Sequence, residues 1–315
     1  MKYCFGVDIG GTSVKLGLFN NEGDLLDKWE IVTRRQDHGV HVPQDIADAI
    51  AAKIEEKGLS KDSITGIGVG VPGPVTEDGM VTKCANLGWE NINVNETMSK
   101  LTGFKCIAAN DANVAALGEL WRGGAKGYKN LVFITLGTGV GGGIVIGGKI
   151  VHGIHGGGGE IGHIVVNPNE TDTCGCGGHG HLEQYASATG IVRMAEKMLI
   201  NTARETSLRN LPAVTAKDIF DAAKAGDQVA LDLADTMCAY LAQALSGVAA
   251  TCDPEVYVIG GGVSKAGTII TDMVKKHFDS NNLNVLCGRE FRLASLGNDA
   301  GIYGAAYLTI SETGE

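Results

Sequence analysis

The segment Tyr3-Cys4-Phe5-Gly6-Val7-Asp8-Ile9-Gly10-Gly11-Thr12-Ser13-Val14-Lys15-Leu16-Gly17-Leu18-Phe19 decides the fold of this chain. The apolar, β-branched run from Tyr3 to Ile9 reads as a strand. Gly10-Gly11-Thr12 reads as a turn, and Val14 to Phe19 as the returning strand. The same unit recurs further on: Leu131 to Leu136, a turn at Gly137-Thr138-Gly139, then Gly143 to Ile146. A repeated strand–glycine turn–strand unit predicts two similar halves.

Outward from these turns the pattern alternates between helix and strand. Pro43 to Lys57 carries Ile46, Ile50 and Ile54 on one helical face and stops at Gly58. Ile64 to Val71 reads as a buried strand, Asn95 to Leu101 as a short helix ended by Gly103, and Cys106 to Ala109 as another strand. The second half is richer in helix. Glu183 to Thr202 reads as one helix, Thr215-Ala216-Lys217-Asp218 as a capping box, and Gln228 to Ala250 as a long, one-sided apolar helix. Val256 to Ile259 is then a strand running into Gly260-Gly261-Gly262. Alternating strands and helices predict an α/β protein, and a cleft between two such halves is a natural ligand site.

Bulk properties narrow the function. The 315 residues suffice for two domains, and 44% hydrophobic with 20% charged content is ordinary for a globular protein. A net charge of −10 argues against a nucleic-acid backbone as partner but leaves nucleotide binding open. The N-terminus runs directly into a strand pattern, without an export signal or an apolar run of membrane length, so a cytoplasmic protein with no membrane partner is expected. Six of the eight cysteines are scattered and only Cys174 and Cys176 cluster, which fits free or metal-bound thiols in a reducing compartment.

The 47 glycines gather at the turns. Asp8-Ile9-Gly10-Gly11-Thr12 offers backbone amides and a hydroxyl to a phosphate, with Lys15 nearby and Asp8 as a candidate to hold Mg²⁺ through water. A bare hairpin is the plain alternative, and the second loop, Gly137-Thr138-Gly139, tips the balance toward phosphate. Gly260-Gly261-Gly262 follows a strand and precedes a helix-like segment, so Gly261 and Gly262 are candidates to receive an adenosine. None of these is a Gly-Lys-Ser/Thr loop or a GxGxxG opening a helix. Asn110-Asp111 follows a strand. Asp111 is a candidate general base, with a helix cap as its structural alternative.

Four nitrogen and sulfur donors lie close together: His163 in Gly159-Glu160-Ile161-Gly162-His163, then Cys174, Cys176 and His181 in Cys174-Gly175-Cys176-Gly177-Gly178-His179-Gly180-His181-Leu182-Glu183. Such a donor set suits a structural zinc ion, with His179 as a rival for the fourth position. Glu160 and Glu183 flank the set, as carboxylates that a metal knot would pin beside a small polar ligand.

Together these loops resemble the ROK family of bacterial sugar kinases and repressors, within the sugar kinase/Hsp70/actin fold, over nearly the whole chain. The resemblance rests on Asp8-Ile-Gly-Gly-Thr12, Val71-Pro-Gly-Pro74, Asn86-Leu-Gly-Trp89, Asn110-Asp111, Gly137-Thr-Gly139, Gly159 to His163 and Cys174-Gly-Cys-Gly177. Within the family the likeness is greatest to the ATP-dependent glucokinases. It implies a two-domain fold with a duplicated βββαβα core. The expected small domain is 1–109 with a returning helix from 298–315, and the expected large domain is 110–297. It also implies ATP with Mg²⁺, a structural Zn²⁺ and a homodimer. The resemblance makes Asp111 the base toward the sugar hydroxyl and implies sugar contacts from Gly73, Asn86, Asn110, Glu160, His163 and Glu183. His163 would put one ring nitrogen on zinc and the other toward the sugar. Where the family has Cys-x-Cys-Gly-x-x-Gly-Cys-x-Glu, this chain has His181 as the last donor, so a Cys₂His₂ site carries one less negative charge. A repressor of this family would need a DNA-binding segment ahead of Asp8, and a non-catalytic sugar binder would lack the base or the phosphate loops. A kinase for another hexose or an N-acetylhexosamine is the nearer rival.

Overall fold

In a computed structural model, described for residues 1–312, each half of the chain builds its own five-stranded sheet. The first half runs β1 (Tyr3–Ile9), β2 (Ser13–Asn20), β3 (Leu25–Val32), α1 (Val42–Glu56), β4 (Ile64–Val71), β5 (Met80–Cys84), β6 (Trp89–Asn93), α2 (Val94–Thr102), β7 (Cys106–Asn110) and α3 (Asp111–Arg122). The second runs β8 (Leu131–Leu136), β9 (Val140–Ile146), β10 (Lys149–Ile150), α4 (Glu183–Ala186), α5 (Ala188–Asn201), α6 (Ala216–Lys224), α7 (Gln228–Cys252), β11 (Val256–Gly260), α8 (Thr268–Asn281), β12 (Glu290–Leu293) and α9 (Ala300–Glu312).

The two sheets have one topology. Their orders are β3-β2-β1-β4-β7 and β10-β9-β8-β11-β12. In each, a hairpin supplies antiparallel edge strands and parallel strands follow on the other side of the first strand. β5 and β6 form a separate antiparallel pair. β1 and β4 are buried on both faces, hence their near-continuous apolar sequence. Phe5, Val7, Ile9, Leu16 and Val69 pack with Ile46, Ile50 and Ile54 of α1 in one core. α9 packs against α3, β1 and β4, and the approach is tight enough to require glycine. A Cβ at Gly68 would overlap the Ala305 carbonyl, and one at Gly304 would overlap that of Val114.

The chain separates into two compact units. One comprises Met1–Gly127, Gly143–Gly159 and the described residues from Leu296 onward. The other comprises Tyr128–Gly142 and Glu160–Ser295. The first unit thus extends past residue 109 to include α3, because α3 buries Val114, Leu117 and Leu120 within it and packs on α9. In the second unit Tyr257 stacks on Phe291 with ring centroids 4.7 Å apart, and α7 buries Leu233, Met237, Leu241 and Leu245. That helix ends at Asp253, in the left-handed region at φ 41°, just before Pro254.

One local expectation needs correction. The single helix expected over Glu183 to Thr202 is two. Ser187 is extended (φ −84°, ψ 168°), and its Oγ accepts from the Gly190 amide while donating to the Glu183 carbonyl, so it closes α4 and caps α5. The helix-like segment expected after Gly260-Gly261-Gly262 is present as a 3₁₀ turn, Val263–Ala266, followed after Gly267 by α8. The capping box at Thr215 and Asp218 is formed in both directions.

Candidate active site and metal centre

In the first unit the hairpin turn between β1 and β2 is closed by the Gly10 amide on the Ser13 carbonyl at 3.0 Å. Gly11 has open space on its Cβ side. The chain after β3 is tied to this turn twice: the Thr33 amide donates to Thr12 O at 3.0 Å, and Thr33 Oγ1 to Gly10 O at 2.7 Å. Lys15 Nζ donates to the Asn298 carbonyl at 3.1 Å. A cavity of about 770 Å³ brings Gly11 and Thr12 together with Asn86, and with Thr33, Arg35 and His38. Nothing in the spacing of the sequence pointed to these last three. They enter because β3 returns its end to the turn.

At Asn110-Asp111 the cap falls to Asn110. Asn110 Oδ1 accepts from the amides of Ala112 and Asn113, making it the cap of α3, while its Nδ2 donates to Gly73 O at 3.1 Å. Asn110 and Gly73 are therefore joined directly. Asp111 is the first residue of α3 and half-buried, with Oδ1 accepting from the Ala112 amide at 2.8 Å. Asp8 stands close to it electrostatically. Desolvation raises the Asp8 carboxyl, the Asp111 charge raises it further and Lys15 opposes both, leaving it at about 6. A pair of interacting carboxylates beside a glycine turn can accept a proton and attract a divalent cation.

In the second unit the turn between β8 and β9 lies against the start of α5. The Ala188 amide donates to Gly137 O and Thr189 Oγ1 to Thr138 O, both at 2.8 Å. Gly139 has a further reason to be glycine, since a Cβ there would overlap the Glu183 carboxylate. That carboxylate accepts from the Val140 amide at 3.0 Å through Oε2, and Oε1 lies 3.7 Å from Cys174 Sγ. Gly261 is left-handed (φ +85°) against the Leu136 backbone, whereas Gly262 has open space on its Cβ side. Glu160 immediately precedes the 3₁₀ turn Ile161–His163, and its carbonyl accepts from the His163 amide.

His163, Cys174, Cys176 and His181 converge, with one donor atom from each lying within 4.8 Å of the others. Cys176 Sγ is 3.1 Å from His181 Nδ1, and the two imidazole rings are 5.3 Å apart. His163 Nδ1 is buried without a hydrogen-bond partner, an expensive arrangement unless a metal or ligand meets that ring. Two thiols and two imidazoles in this compass fit zinc. His179 lies outside the group, with its Nδ1 3.2 Å from the Asp172 carbonyl. Gly178 lets His181 in, because a Cβ there would lie 2.5 Å from the imidazole Cε1.

Residues 4–312 match the ROK family model. The chain belongs to the ROK family. It is 44% identical to a glucokinase of Halalkalibacterium halodurans over 98% of this chain and 94% of that one. Among solved structures it is similar to a ROK hexokinase from Thermus thermophilus, with TM-score 0.82, 30% identity, and 98% and 99% of the two chains covered. It is also similar to a ROK glucokinase from Streptomyces griseus in complex with glucose and AMPPNP, with TM-score 0.74, 32% identity, and 97% and 98% covered.

Proposed function

We infer that this protein is a glucokinase, transferring the γ-phosphoryl group of ATP to the 6-hydroxyl of glucose. The observation that carries the reading is the 44% identity to a glucokinase over nearly the full length of both chains. It is supported by the half-buried Asp111 carboxylate at the start of α3. In the reaction the 6-hydroxyl oxygen bonds to the γ-phosphorus as the bond to the β,γ-bridging oxygen breaks. The hydroxyl proton passes to Asp111, and ADP leaves.

Gly73, Asn86 and Asn110 orient the sugar in this reading, along with Glu160, His163 and Glu183. The Asn110–Gly73 bond supports it by fixing two of these groups relative to each other. Gly10, Gly11, Thr12 and Lys15, and Gly137, Thr138 and Gly139, meet the phosphates. Gly261 and Gly262 meet the adenosine. Asp8 would hold Mg²⁺, which neutralises charge on the phosphoryl oxygens when bound. A structural Zn²⁺ would be held by His163, Cys174, Cys176 and His181, and its chemistry is to fix the orientation of those ligands. The protein is further taken to be a cytoplasmic homodimer, so light scattering should return about twice the 32.7 kDa chain mass.

A coupled assay of ADP release across hexoses and N-acetylhexosamines tests the function, with glucose expected as the best acceptor. No ADP above background with any sugar overturns the kinase reading, and preference for another sugar overturns only the glucose assignment.

A further inference from the structure

We propose that Arg193 of α5 is a positioning residue of the metal centre: it clamps both ends of the loop that carries Cys174, Cys176 and His181. This rests on reading the His/Cys group as a zinc site. The loop enters at Glu170 and Asp172 and leaves at Gln184, and one guanidinium reaches all three. Nη2 donates to Glu170 Oε2 at 2.8 Å and to the Gln184 carbonyl at 3.0 Å, while Nη1 donates to Asp172 Oδ2 at 2.8 Å. The same guanidinium lies 5.3 Å from the centroid of the Tyr185 ring. Tyr185 in turn donates its hydroxyl to Glu170 Oε2 at 2.6 Å.

The clamp passes its order directly to a ligand. Gln184 is 9% exposed, and its side-chain amide donates to the Asp172 carbonyl at 2.8 Å while its Oε1 accepts from the His181 backbone amide at 3.1 Å. Thus Arg193 holds Asp172, Asp172 holds Gln184, and Gln184 holds the backbone of the fourth ligand. Glu170 Oε1 also accepts from the amides of Thr171 and Asp172, which shapes the entry to the loop. Metal and clamp therefore divide the loop, the ion gathering its tip and Arg193 its base. A planar fork with several fixed donors does this where a lysine ammonium does not. Lys197 provides the contrast within the same helix: among the described residues its ammonium reaches only Asp172 Oδ2, at 2.6 Å, and it is half exposed. Glu183 sits between His181 and Gln184, so the base of the loop also sets where that carboxylate stands.

Zinc affinity of the full-length protein, measured by competition with a chromophoric chelator for Arg193→Met, Arg193→Lys and Lys197→Met, decides the matter. Supporting partners of metal ligands typically set about 10–100-fold in affinity. Arg193→Met is expected to lose zinc affinity in that range, Arg193→Lys to recover part of it, and Lys197→Met to stay within about threefold of wild type. KM for glucose should rise in Arg193→Met while KM for ATP holds. If Arg193→Met retains wild-type zinc affinity, or Lys197→Met loses as much, Arg193 is an ordinary surface ion pair. If Arg193→Met does not fold, wild-type zinc affinity in Arg193→Lys overturns the clamp. A wild-type protein that binds no zinc overturns the metal reading itself.

Discussion

The two glycine turns occupy one topological position in two copies of the same sheet, yet they present different chemistry. Asp8 of β1 sits opposite Gly70 of β4, and Thr135 of β8 sits opposite Gly260 of β11. The register matches, but the first copy holds a carboxylate where the second holds a hydroxyl. Beyond the parallel strands the contrast widens. In the first copy β7 ends in Asn110 and a half-buried acid, Asp111, on α3. In the second, β11, the counterpart of β4, ends at Gly260 and runs into Gly261, which admits the Leu136 backbone, and the open Gly262. On the proposed reading the first copy supplies the base, the cation site and one phosphate loop, while the second supplies the other phosphate loop, the adenosine site and the His/Cys loop.

Asp111→Asn attacks that division most sharply. It keeps shape and removes the base, so turnover should fall by about 10²–10⁴ with glucose affinity changed much less. Near-wild-type turnover would mean that Asp111 serves only the first turn of α3. Next in size comes loss of the metal knot in the second copy. Cys176→Ser, or mild chelation, should lower glucose affinity and turnover together by about 10², since misplacing the sugar-facing groups by ~1 Å costs that much. ATP binding should persist. A zinc-free protein with unchanged glucose affinity would contradict it. Elemental analysis should find about one zinc per chain, lost in His181→Ala and kept in His179→Ala.

The smallest effect concerns Asp8. Its folded pKa, about 6, lies above the ordinary aspartate value of about 4. A raised carboxyl contributes stability that is fully present below the unfolded value and is lost as pH rises through the folded one. Without Mg²⁺, wild type should therefore lose about 1–2 kcal/mol from this group between about pH 4 and 6. Asp8→Asn should flatten that part of a melting-temperature profile, and a profile parallel to wild type would show that burial and the Asp111 charge do not raise the Asp8 carboxyl.

What could be read from the chain follows the physics of each part. The turns were legible because glycine pairs interrupt long apolar strands. The His/Cys group was legible because three of its four members lie within eight residues, Cys174 to His181. The capping box at Thr215 is a local signal and formed as expected. β12 was not legible, for Glu290–Leu293 is four residues long and only partly buried, and its pairing with β11 is a long-range event. The break at Ser187 was hidden because helix-forming residues flank it on both sides, and it is the Ser187 side-chain bonds and the long-range bond of the Ala188 amide to Gly137 O that stop the helix. Thr33 carries no motif either, since its role comes from the return of β3 to the first turn. The Arg193 clamp joins residues up to 23 apart, and no periodicity announces it.

The measurement closest to the central claim is a product balance with glucose and with 6-deoxyglucose. The account predicts one glucose 6-phosphate for each ADP released from glucose, and no ADP above background from 6-deoxyglucose, which lacks the hydroxyl that Asp111 would deprotonate. Equal ADP release from the two sugars, or none from glucose, would contradict it.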